Sequence, residues 1–311
     1  MRKIKVAVIG VGHLGSSHAR IYSQFNKVDL VAVCDINTKT AKKIAKRYNV
    51  KAVFDYQKLL NKVEAVSIAV PTNLHYKIAK DFIQTKVHVL IEKPITKTLN
   101  QANKLLKEAK KNKILLQVGH IERFNAAVKA IKEIINKPKF IECHRLGPYK
   151  VRSTDVGVVL DLMIHDIDII LYLVKSKIKK IDAVGVNVLS NYEDIANARI
   201  SFENNAICNV TSSRVSEEEV RKIRIFQKDA YVSLDYISQQ AKIYRKKNNK
   251  IVKQNIDITK QEPLKAEIKS FINCIIDKKR PIVSGEDAKL ALKTALMITK
   301  KIKGSKKWIK K

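Results

Sequence analysis

The sequence predicts an α/β protein: a doubly wound parallel sheet followed by an α+β domain with a large, mostly antiparallel open sheet. Three observations support this prediction. Short apolar runs alternate with helix-period segments through the first 120 residues. Strand-like runs then follow one another with short turns, and two helix-period segments close the chain. With 311 residues, 45% of them hydrophobic, the chain is long enough for two ordinary domains.

The N-terminal part alternates fully apolar strands with amphipathic helices, which is typical of βαβ units and a parallel sheet. The predicted strands are 4–10, 30–34, 65–70, 87–91 and 114–118. The predicted helices are 16–25, 38–48, 73–84 and 99–111. We assign residues 1–120 to this first domain.

The pattern changes after Gly119. A predicted helix (122–136), a strand (139–146) and a second helix (158–174) precede a series of strands without helices between them. Those strands are predicted at 179–190, 195–203, 206–214, 220–228, 230–236 and 240–245, and two helices follow at 263–277 and 286–302. We assign 121–302 to the second domain and 303–311 to a basic tail.

The charge is strongly positive. Lys and Arg number 62 against 29 Asp and Glu, a formal net charge of +33. The 50 lysines are spread along the chain and outnumber the 12 arginines, although nucleic-acid readers favour arginine. The aromatic residues do not interleave with basic ones as a stacking platform requires. We therefore predict no nucleic-acid partner, and a dispersed charge whose effect is to steer anionic ligands.

The cysteines and the hydropathy indicate a compartment. None of Cys34, Cys143, Cys208 and Cys274 forms a CxxC pair, which excludes zinc-ribbon and thioredoxin motifs. Widely spaced thiols suit a reducing cytoplasm, where we expect the protein. We find no signal-peptide pattern and no run of 18 apolar residues, so we expect no membrane partner.

The strongest motif is GVGHLG, which follows a predicted strand and opens a predicted helix. It is the pattern of a Rossmann dinucleotide site, in which glycines allow a tight turn, phosphate approach and helix packing. The residues predicted to bind cofactor here are Gly10, Gly12, His13, Leu14 and Gly15. Asp35 follows at the end of the next strand, where a carboxylate accepts ribose hydroxyl groups and repels a 2′-phosphate. We expect NAD rather than NADP, with nearby Lys39 weakening that exclusion.

A lysine follows the apolar strand 87–91, in Glu92-Lys93-Pro94. Ligands of open parallel sheets bind at the carboxyl ends of the strands, so we expect Lys93 to face the nicotinamide end of the crevice. Pro94 restricts the backbone of Lys93 to an extended conformation. A lysine before a proline is otherwise an ordinary surface residue.

The predicted helix 158–174 carries Asp161, His165 and Asp168. On an α-helix the first two are i and i+4 and the last two are i and i+3, so both carboxylates are able to contact the histidine. The alternatives are a satisfied core histidine and a divalent metal site. No second cluster completes a metal coordination shell, so we predict no metal.

Together these motifs resemble the Gfo/Idh/MocA oxidoreductases over nearly the whole chain. The segments Pro71-Thr72-Asn73-Leu74-His75 and 281–288 also fit that family. The resemblance implies NAD(P)-dependent oxidation of a sugar or polyol hydroxyl group. It also implies that Pro71, Thr72, Asn73, His75, Glu92 and Lys93 contact the cofactor. One departure is Met163, at a position where the family often has glycine.

Residues 119–125 and 155–166 are similar to one subgroup of the family, which oxidises the C3 hydroxyl of UDP-N-acetylglucosamine in lipid A biosynthesis. A partner aminotransferase then aminates the ketone. This resemblance makes Arg123, Arg145, Tyr149, Arg152 and Asp168 candidate substrate residues, because arginine forks bind diphosphates. The alternatives are another nucleotide-sugar or polyol (inositol-type) dehydrogenase and a non-catalytic NAD-binding sensor. We expect a homodimer or homotetramer, as in the family.

The mechanistic hypothesis assigns three catalytic residues: Lys93, Asp161 and His165. His165, oriented by Asp161, accepts the hydroxyl proton while hydride leaves for the nicotinamide. Lys93 holds the hydroxyl oxygen and stabilises its developing negative charge. A lysine whose pKa is lowered by burial is an alternative base, and the sequence leaves the two roles open.

Overall fold

The computed structural model describes residues 2–149 and 156–305. The chain divides into two compact units. The first comprises the chain up to Ile121 together with Leu264–Lys289, and the second comprises Glu122–Pro263 and the chain from Leu290 onward. This division differs from the predicted second domain, 121–302, near its C-terminal end, because the chain returns to the first unit at Leu264.

The first unit contains a six-stranded, fully parallel sheet with the strand order β3-β2-β1-β4-β5-β6. This is the doubly wound Rossmann order, which confirms the predicted fold class. Its strands are β1 (Ile4–Ile9), β2 (Val28–Cys34), β3 (Lys51–Val53), β4 (Ala65–Ile68), β5 (His88–Glu92) and β6 (Leu116–Gly119). Edge strand β3 was not predicted, since it has only three residues and too short a pattern.

Four helices connect these strands. They are α1 (His13–Tyr22), α2 (Thr38–Tyr48), α3 (Thr72–Gln84) and α4 (Leu99–Lys111). Helices α2 and α4 have their predicted bounds because side chains cap them: Asn37 accepts from the N–H of Thr40, and Thr98 from that of Gln101. Helix α1 begins three residues before its prediction, directly after Gly12, so that the glycine-rich turn runs straight into its first turn.

The return of the chain to the first unit is explained by the apolar face of α7 (Pro263–Ile276). Ile268 and Phe271 on this helix are fully buried, in the same core cluster as Val6 and Leu30 of the parallel sheet. Burying a side chain as large as Phe stabilises a fold by several kcal/mol relative to Ala. Helix α7 is thus part of the first unit's core, although the sequence places it after the second sheet.

The second unit contains an eight-stranded sheet with the order β14-β13-β12-β11-β7-β10-β9-β8. Neighbouring strands are antiparallel except β7 and β10, which confirms the predicted mostly antiparallel sheet. Its strands are β7 (Phe140–Leu146), β8 (Ile178–Val186), β9 (Ile195–Phe202), β10 (Ile207–Ser213), β11 (Val220–Phe226), β12 (Tyr231–Asp235), β13 (Gln240–Lys247) and β14 (Lys250–Asn255). Every residue of β14 is exposed, so it lacks the apolar alternation that would have predicted it.

The helices of the second unit differ from their predictions. The predicted helix 122–136 is a 3₁₀ turn (Ile121–Phe124) followed by α5 (Ala126–Lys132), because Asn125 caps a new start by accepting from the N–H of Ala127. The predicted helix 158–174 is a π turn (Val159–Met163) that continues as α6 (Ile164–Val174). Such π turns are inserted distortions without a simple sequence pattern.

The last helix, α8 (Gly285–Ser305), extends through the first three residues of the predicted tail. Residues 306–311, the rest of that tail, lie outside the described residues. Within the described ranges no helix is long and apolar enough to cross a membrane.

The position of α7 gives a stability prediction. We expect Phe271→Ala to lower the free energy of unfolding of the first unit by about 3–5 kcal/mol, because it opens a cavity in a fully buried cluster. Lys269→Ala, on the exposed face of the same helix, is the control and should change little. Circular dichroism in increasing urea measures both. A loss below about 1 kcal/mol for Phe271→Ala would contradict this assignment.

Candidate active site

The glycine-rich turn lies at the carboxyl end of β1. Strand order reverses between β1 and β4, the point where open α/β sheets bind their ligands. Gly10 has a φ of +80°, and a Cβ there would lie 2.7 Å from the carbonyl oxygen of Ala69. A Cβ on Gly15 would overlap the carbonyl oxygen of Gly10. These two glycines are therefore required by the protein's own packing.

Gly12 is different. It is exposed, and a Cβ built on it meets no atom within 4 Å. His13 and Leu14, in the first turn of α1, are also exposed. An exposed glycine at the first turn of a helix leaves backbone N–H groups and open space for an anion. The turn has the shape of a phosphate cradle, and nothing in the protein itself requires a glycine at position 12.

Asp35 lies at the end of β2 and is bonded to this turn. Its Oδ2 accepts the N–H of Val11 at 2.9 Å, and its Oδ1 accepts the N–H of Asn37 at 2.9 Å. Both bonds fix the carboxylate beside the glycine-rich turn, the place that an NAD-selective acidic residue occupies. Lys39, in the first turn of the neighbouring helix α2, is exposed.

The segment Pro71-Thr72-Asn73 begins α3 directly after β4. Pro71 and Asn73 are exposed and Thr72 is half-buried. His75 is buried, and its Nδ1 and Nε2 lie 2.9 Å from the carbonyl oxygens of Pro94 and Val70, respectively. Burial lowers the pKa of His75, while the two carbonyl contacts act in the opposite direction. Both ring nitrogens thus face carbonyl oxygens of the protein, and a neutral ring donates to one of them only. The contact of His75 with the cofactor stays a prediction.

Lys93 is half-buried at the carboxyl end of β5, before a cis peptide bond to Pro94. Its N–H donates to Oε2 of Glu92 at 3.3 Å. The other carboxylate oxygen of Glu92, Oε1, lies 3.0 Å from Nε2 of His18 on α1. Burial favours the neutral acid, but the hydrogen bond to His18 and the positive charge of Lys93 outweigh it and lower the pKa of Glu92. The predicted position of Lys93 beside the strand ends is therefore observed within the first unit.

Asp161 of the π turn lines a cavity of about 110 Å³ within the second unit. The polar and charged residues around this cavity are Arg145, Asp161, Ser213, Arg214, Glu219 and Arg221. His165 is half-buried in the first turn of α6. Since Asp161 lies in a π turn, the α-helical spacing that predicted a shared face for these two residues does not hold throughout the interval between them.

Two of the predicted substrate arginines are ion-paired inside the second unit. Nε and Nη2 of Arg123 donate to the Asp168 carboxylate at 2.6 and 2.8 Å, and the guanidinium lies 3.9 Å from the ring centre of Tyr172. Arg123 and Asp168 are both buried and hold each other, and their contact with substrate stays a prediction. The Asp168 carboxylate thus has a partner other than the predicted His165.

Arg145 is held in the same way by two carboxylates. It donates to Asp166 at 2.8 and 3.1 Å and to Glu122 at 3.0 Å. Burial alone lowers the pKa of Arg145, but the two carboxylates raise it, so the guanidinium stays charged. Arg145 lines the cavity of Asp161 with its guanidinium already paired to Asp166 and Glu122, and its contact with substrate stays a prediction.

The remaining predicted substrate residues follow β7 in the sequence. Tyr149 is exposed, and Arg152 lies outside the described residues. The structure adds Arg214 and Arg221, which sequence reasoning missed. Arg214 pairs with Asp194 at 2.8 Å, and Arg221 pairs with Glu219 at 2.7 Å and is only partly buried. The feature that could have identified them in the sequence is their residue type, because arginines at strand ends are rare in this lysine-rich chain.

The two parts of the chain match two known domains. Residues 4–120 match the oxidoreductase family with an NAD-binding Rossmann fold, and residues 135–232 match the GFO/IDH/MocA C-terminal domain. A UDP-N-acetylglucosamine 3-dehydrogenase of Acidithiobacillus ferrooxidans is 34% identical over 305 residues, which cover 96% of this chain and 97% of the relative. The solved structure of that enzyme, GnnA, matches with a TM-score of 0.93 over 98% of this chain and 99% of its own.

More distant relatives act on inositols. Myo-inositol 2-dehydrogenase of Thermotoga maritima is 25% identical over 313 residues, 93% of each chain. Scyllo-inositol dehydrogenase from Lactobacillus casei, solved with NAD(H) and scyllo-inositol, shares the fold with a TM-score of 0.84 at 19% identity, over 98% of each chain. Both domain matches lead to the same conclusion as the 34% identity over nearly the whole chain. The chain belongs to the Gfo/Idh/MocA family and is an oxidoreductase with NAD as its cofactor.

Proposed function

We propose that this enzyme oxidises the C3 hydroxyl of UDP-N-acetylglucosamine to a ketone. The observation that carries the proposal is the 34% identity, over 96% of the chain, to an enzyme named for that reaction. The inositol dehydrogenases are less similar, at 25% identity for the Thermotoga maritima protein. A polyol dehydrogenase and an NAD-binding sensor are the competing functions.

The cavity of Asp161 supports an anionic substrate. Among the described residues, three arginines line it, together with the carboxylates of Asp161 and Glu219. Arg221 is the least buried of the three, and its partner Glu219 is a surface carboxylate, so this guanidinium is able to exchange its partner for a phosphate oxygen. A diphosphate group needs such a cation, whereas an uncharged polyol does not.

The proposed chemistry uses Lys93, Asp161 and His165. His165 accepts the proton of the sugar hydroxyl, and Asp161 orients its ring. Lys93 binds the hydroxyl oxygen and stabilises the charge that develops on it, or takes the proton itself. The cofactor, when bound, accepts the hydride. The assignment rests on the motifs that this chain shares with its family.

The residues of the first unit fit NAD. The free space above Gly12 suits a pyrophosphate, and the exposed first turn of α1, with His13 and Leu14, offers N–H groups. Asp35 would accept the adenosine ribose hydroxyls and disfavour NADP. The exposed or half-buried Pro71, Thr72 and Asn73, with Glu92 and Lys93, would border the nicotinamide half.

The compartment and the pathway are part of the proposal. The four cysteines are all buried free thiols, as a reducing cytoplasm maintains. The 3-keto sugar would pass to an aminotransferase for lipid A biosynthesis, since a ketone is the substrate that transamination needs.

The proposed oligomer, a homodimer or homotetramer, would form through the outer face of the eight-stranded sheet. Four aromatic rings make a ladder across β7, β11, β12 and β13 on this face. They are Phe140, Phe226, Tyr231 and Tyr244, with successive ring centres 5.7, 4.6 and 4.9 Å apart. The residues next to them along the strands, such as Ile141 and Val232, are in the core. Because successive side chains of a strand point to opposite faces, the ladder is on the other face of the sheet. Half-buried aromatic residues of this kind are typical of protein interfaces.

The first prediction concerns catalysis. With UDP-N-acetylglucosamine and NAD, we expect Lys93→Ala and His165→Ala each to lower kcat by about 10²–10⁴-fold, because each removes a group that handles the hydroxyl proton. NADH absorbance measures the rate, and exposed Lys97→Ala is the matched control. Turnover of inositols alone would instead identify a polyol dehydrogenase. No turnover of any sugar despite NAD binding would identify a sensor.

The second prediction separates the roles of two glycines. Gly12→Ala should leave the melting temperature unchanged, because the new methyl group meets no protein atom, but should weaken NAD binding by at least about tenfold. Gly15→Ala should destabilise the first unit, because its methyl group overlaps the Gly10 carbonyl. Calorimetric titration with NAD and thermal melting measure the two effects. Unchanged NAD affinity in Gly12→Ala would contradict the proposed cradle.

The third prediction concerns assembly. Tyr231→Glu places a charge in the middle of the aromatic ladder and should convert the oligomer to a monomer, because a buried unpaired charge is costly. Ile237→Glu, at an exposed apolar side chain outside the ladder, is the control. Light scattering after size exclusion gives the mass. A monomeric wild type, or an oligomeric Tyr231→Glu, would disprove the interface.

A further inference from the structure

Behind Lys93 lies a buried chain of hydrogen bonds in the first unit that the proposed mechanism does not use. It begins at Tyr22, whose hydroxyl is 2.8 Å from Oγ of Ser67. Ser67 Oγ lies 3.1 Å from Nδ1 of His18, and Nε2 of His18 lies 3.0 Å from Oε1 of Glu92. Tyr22, Ser67 and His18 are each at most 1% exposed.

The donors in this chain of hydrogen bonds all point the same way, from Tyr22 toward Glu92. Hydroxyl groups both donate and accept, so Tyr22 is able to donate to Ser67 and Ser67 to Nδ1 of His18. The proton of His18 is then on Nε2, where it points at Glu92. The partner on one ring nitrogen sets the tautomer at the other. Tyr22 and Ser67 therefore favour the histidine tautomer that donates to Glu92.

The Glu92 carboxylate connects His18 to the backbone of Lys93. With Oε1 held by His18, Oε2 accepts the N–H of Lys93 at 3.3 Å. The carboxylate is also confined from the next strand, because a Cβ on Gly119 would lie 2.9 Å from Oε2. Glu92 and Gly119 are direct partners in the β5–β6 pairing. The carboxylate is thus fixed between a histidine, a strand backbone and the amide of Lys93.

A second buried acid, Glu267, does not compete with Glu92 for the negative charge. Glu267 of α7 is fully buried, and neither carboxyl oxygen has a hydrogen-bond partner among the described residues. Burial and the neighbouring charge of Glu92 raise the pKa of Glu267 well above its ordinary value. Two buried carboxylates at close range cannot both ionise cheaply. Glu267 is accordingly the neutral member, and Glu92, with its donors, is the anion.

We propose that His18 is a positioning residue for Lys93, acting through the Glu92 carboxylate, with Ser67 and Tyr22 setting its tautomer. The inference rests on the proposed function in one respect, the catalytic role of Lys93. Removing His18 frees the Glu92 carboxylate to turn away from the Lys93 amide. The Lys93 backbone then loses its fixed place at the end of β5, while the glycine-rich turn and Asp35 keep theirs.

The test compares His18→Leu with His18→Gln, whose side-chain amide is able to donate to Glu92 in place of Nε2–H. For His18→Leu we expect kcat to fall by about 10²-fold, as for a misplaced catalytic group, with KM for the nucleotide sugar and NAD affinity within about twofold of wild type. His18→Gln should recover most of the activity. A purely structural role would instead lower the melting temperature and all kinetic constants together.

A second readout does not depend on turnover. Trace acetylation with acetic anhydride, followed by peptide mass spectrometry, reports how readily each lysine reacts. We expect the labelling of Lys93 to rise several-fold in His18→Leu and to return toward wild type in His18→Gln, while exposed Lys43 stays constant as the internal reference. If His18→Leu does not fold, Ser67→Ala takes its place. It should lower kcat by about tenfold and raise the labelling of Lys93 by less than His18→Leu would.

The outcomes separate the two proposals. If the wild type oxidises no sugar, the proposed function fails, and the labelling comparison still decides the role of His18. If Lys93→Ala is inactive but a folded His18→Leu retains wild-type kcat and Lys93 labelling, the positioning role is overturned. Equal loss of activity in His18→Leu and His18→Gln would also overturn it, because the hydrogen bond to Glu92 would then be irrelevant.

Discussion

A buried charge has to be paired, and this constraint arranges the buried ionisable side chains within each of the two units. An unpaired ion inside a protein costs several kcal/mol, so the buried carboxylates that stay ionised recruit a cation or several N–H groups. Asp166 and Glu122 hold Arg145, Asp168 holds Arg123, and Asp194 holds Arg214. In the first unit the corresponding anion is Glu92, held by His18 and the amide of Lys93.

Because the pairing of buried charges is a tertiary property, the sequence predictions that succeeded are those that depend on local properties. Glycine spacing and strand ends are local properties, so the Rossmann order, the glycine-rich turn, Asp35 and the place of Lys93 followed from the sequence. Side-chain pairing is a tertiary property. Nothing in the sequence says that Arg123 finds Asp168, 45 residues away. Sequence reasoning therefore singled out these residues without predicting that they pair with each other.

Long-range packing set the other limit. The helix α7 was predicted within one residue of its bounds, because its apolar period is clear. Its membership of the first unit was not predicted, since a helix face records that it is buried but not against which sheet. The π turn at Asp161 was missed for a related reason: an α-helical and a π-helical turn have nearly the same residue preferences, and packing decides between them.

The net charge of +33 acquires a clearer meaning beside these pairs. The buried arginines are neutralised one by one by named carboxylates, so they contribute little to the field outside the protein. The excess is carried by lysines, whose flexible, strongly hydrated ammonium groups suit solvent. Such a surface raises the local concentration of any anion, NAD or nucleotide sugar alike, without choosing between them. Selectivity has to come from groups that contact the ligand directly. Under the proposed function Arg221 is such a group, because it is the least buried of the described arginines lining the cavity and a phosphate oxygen is able to replace its surface partner Glu219.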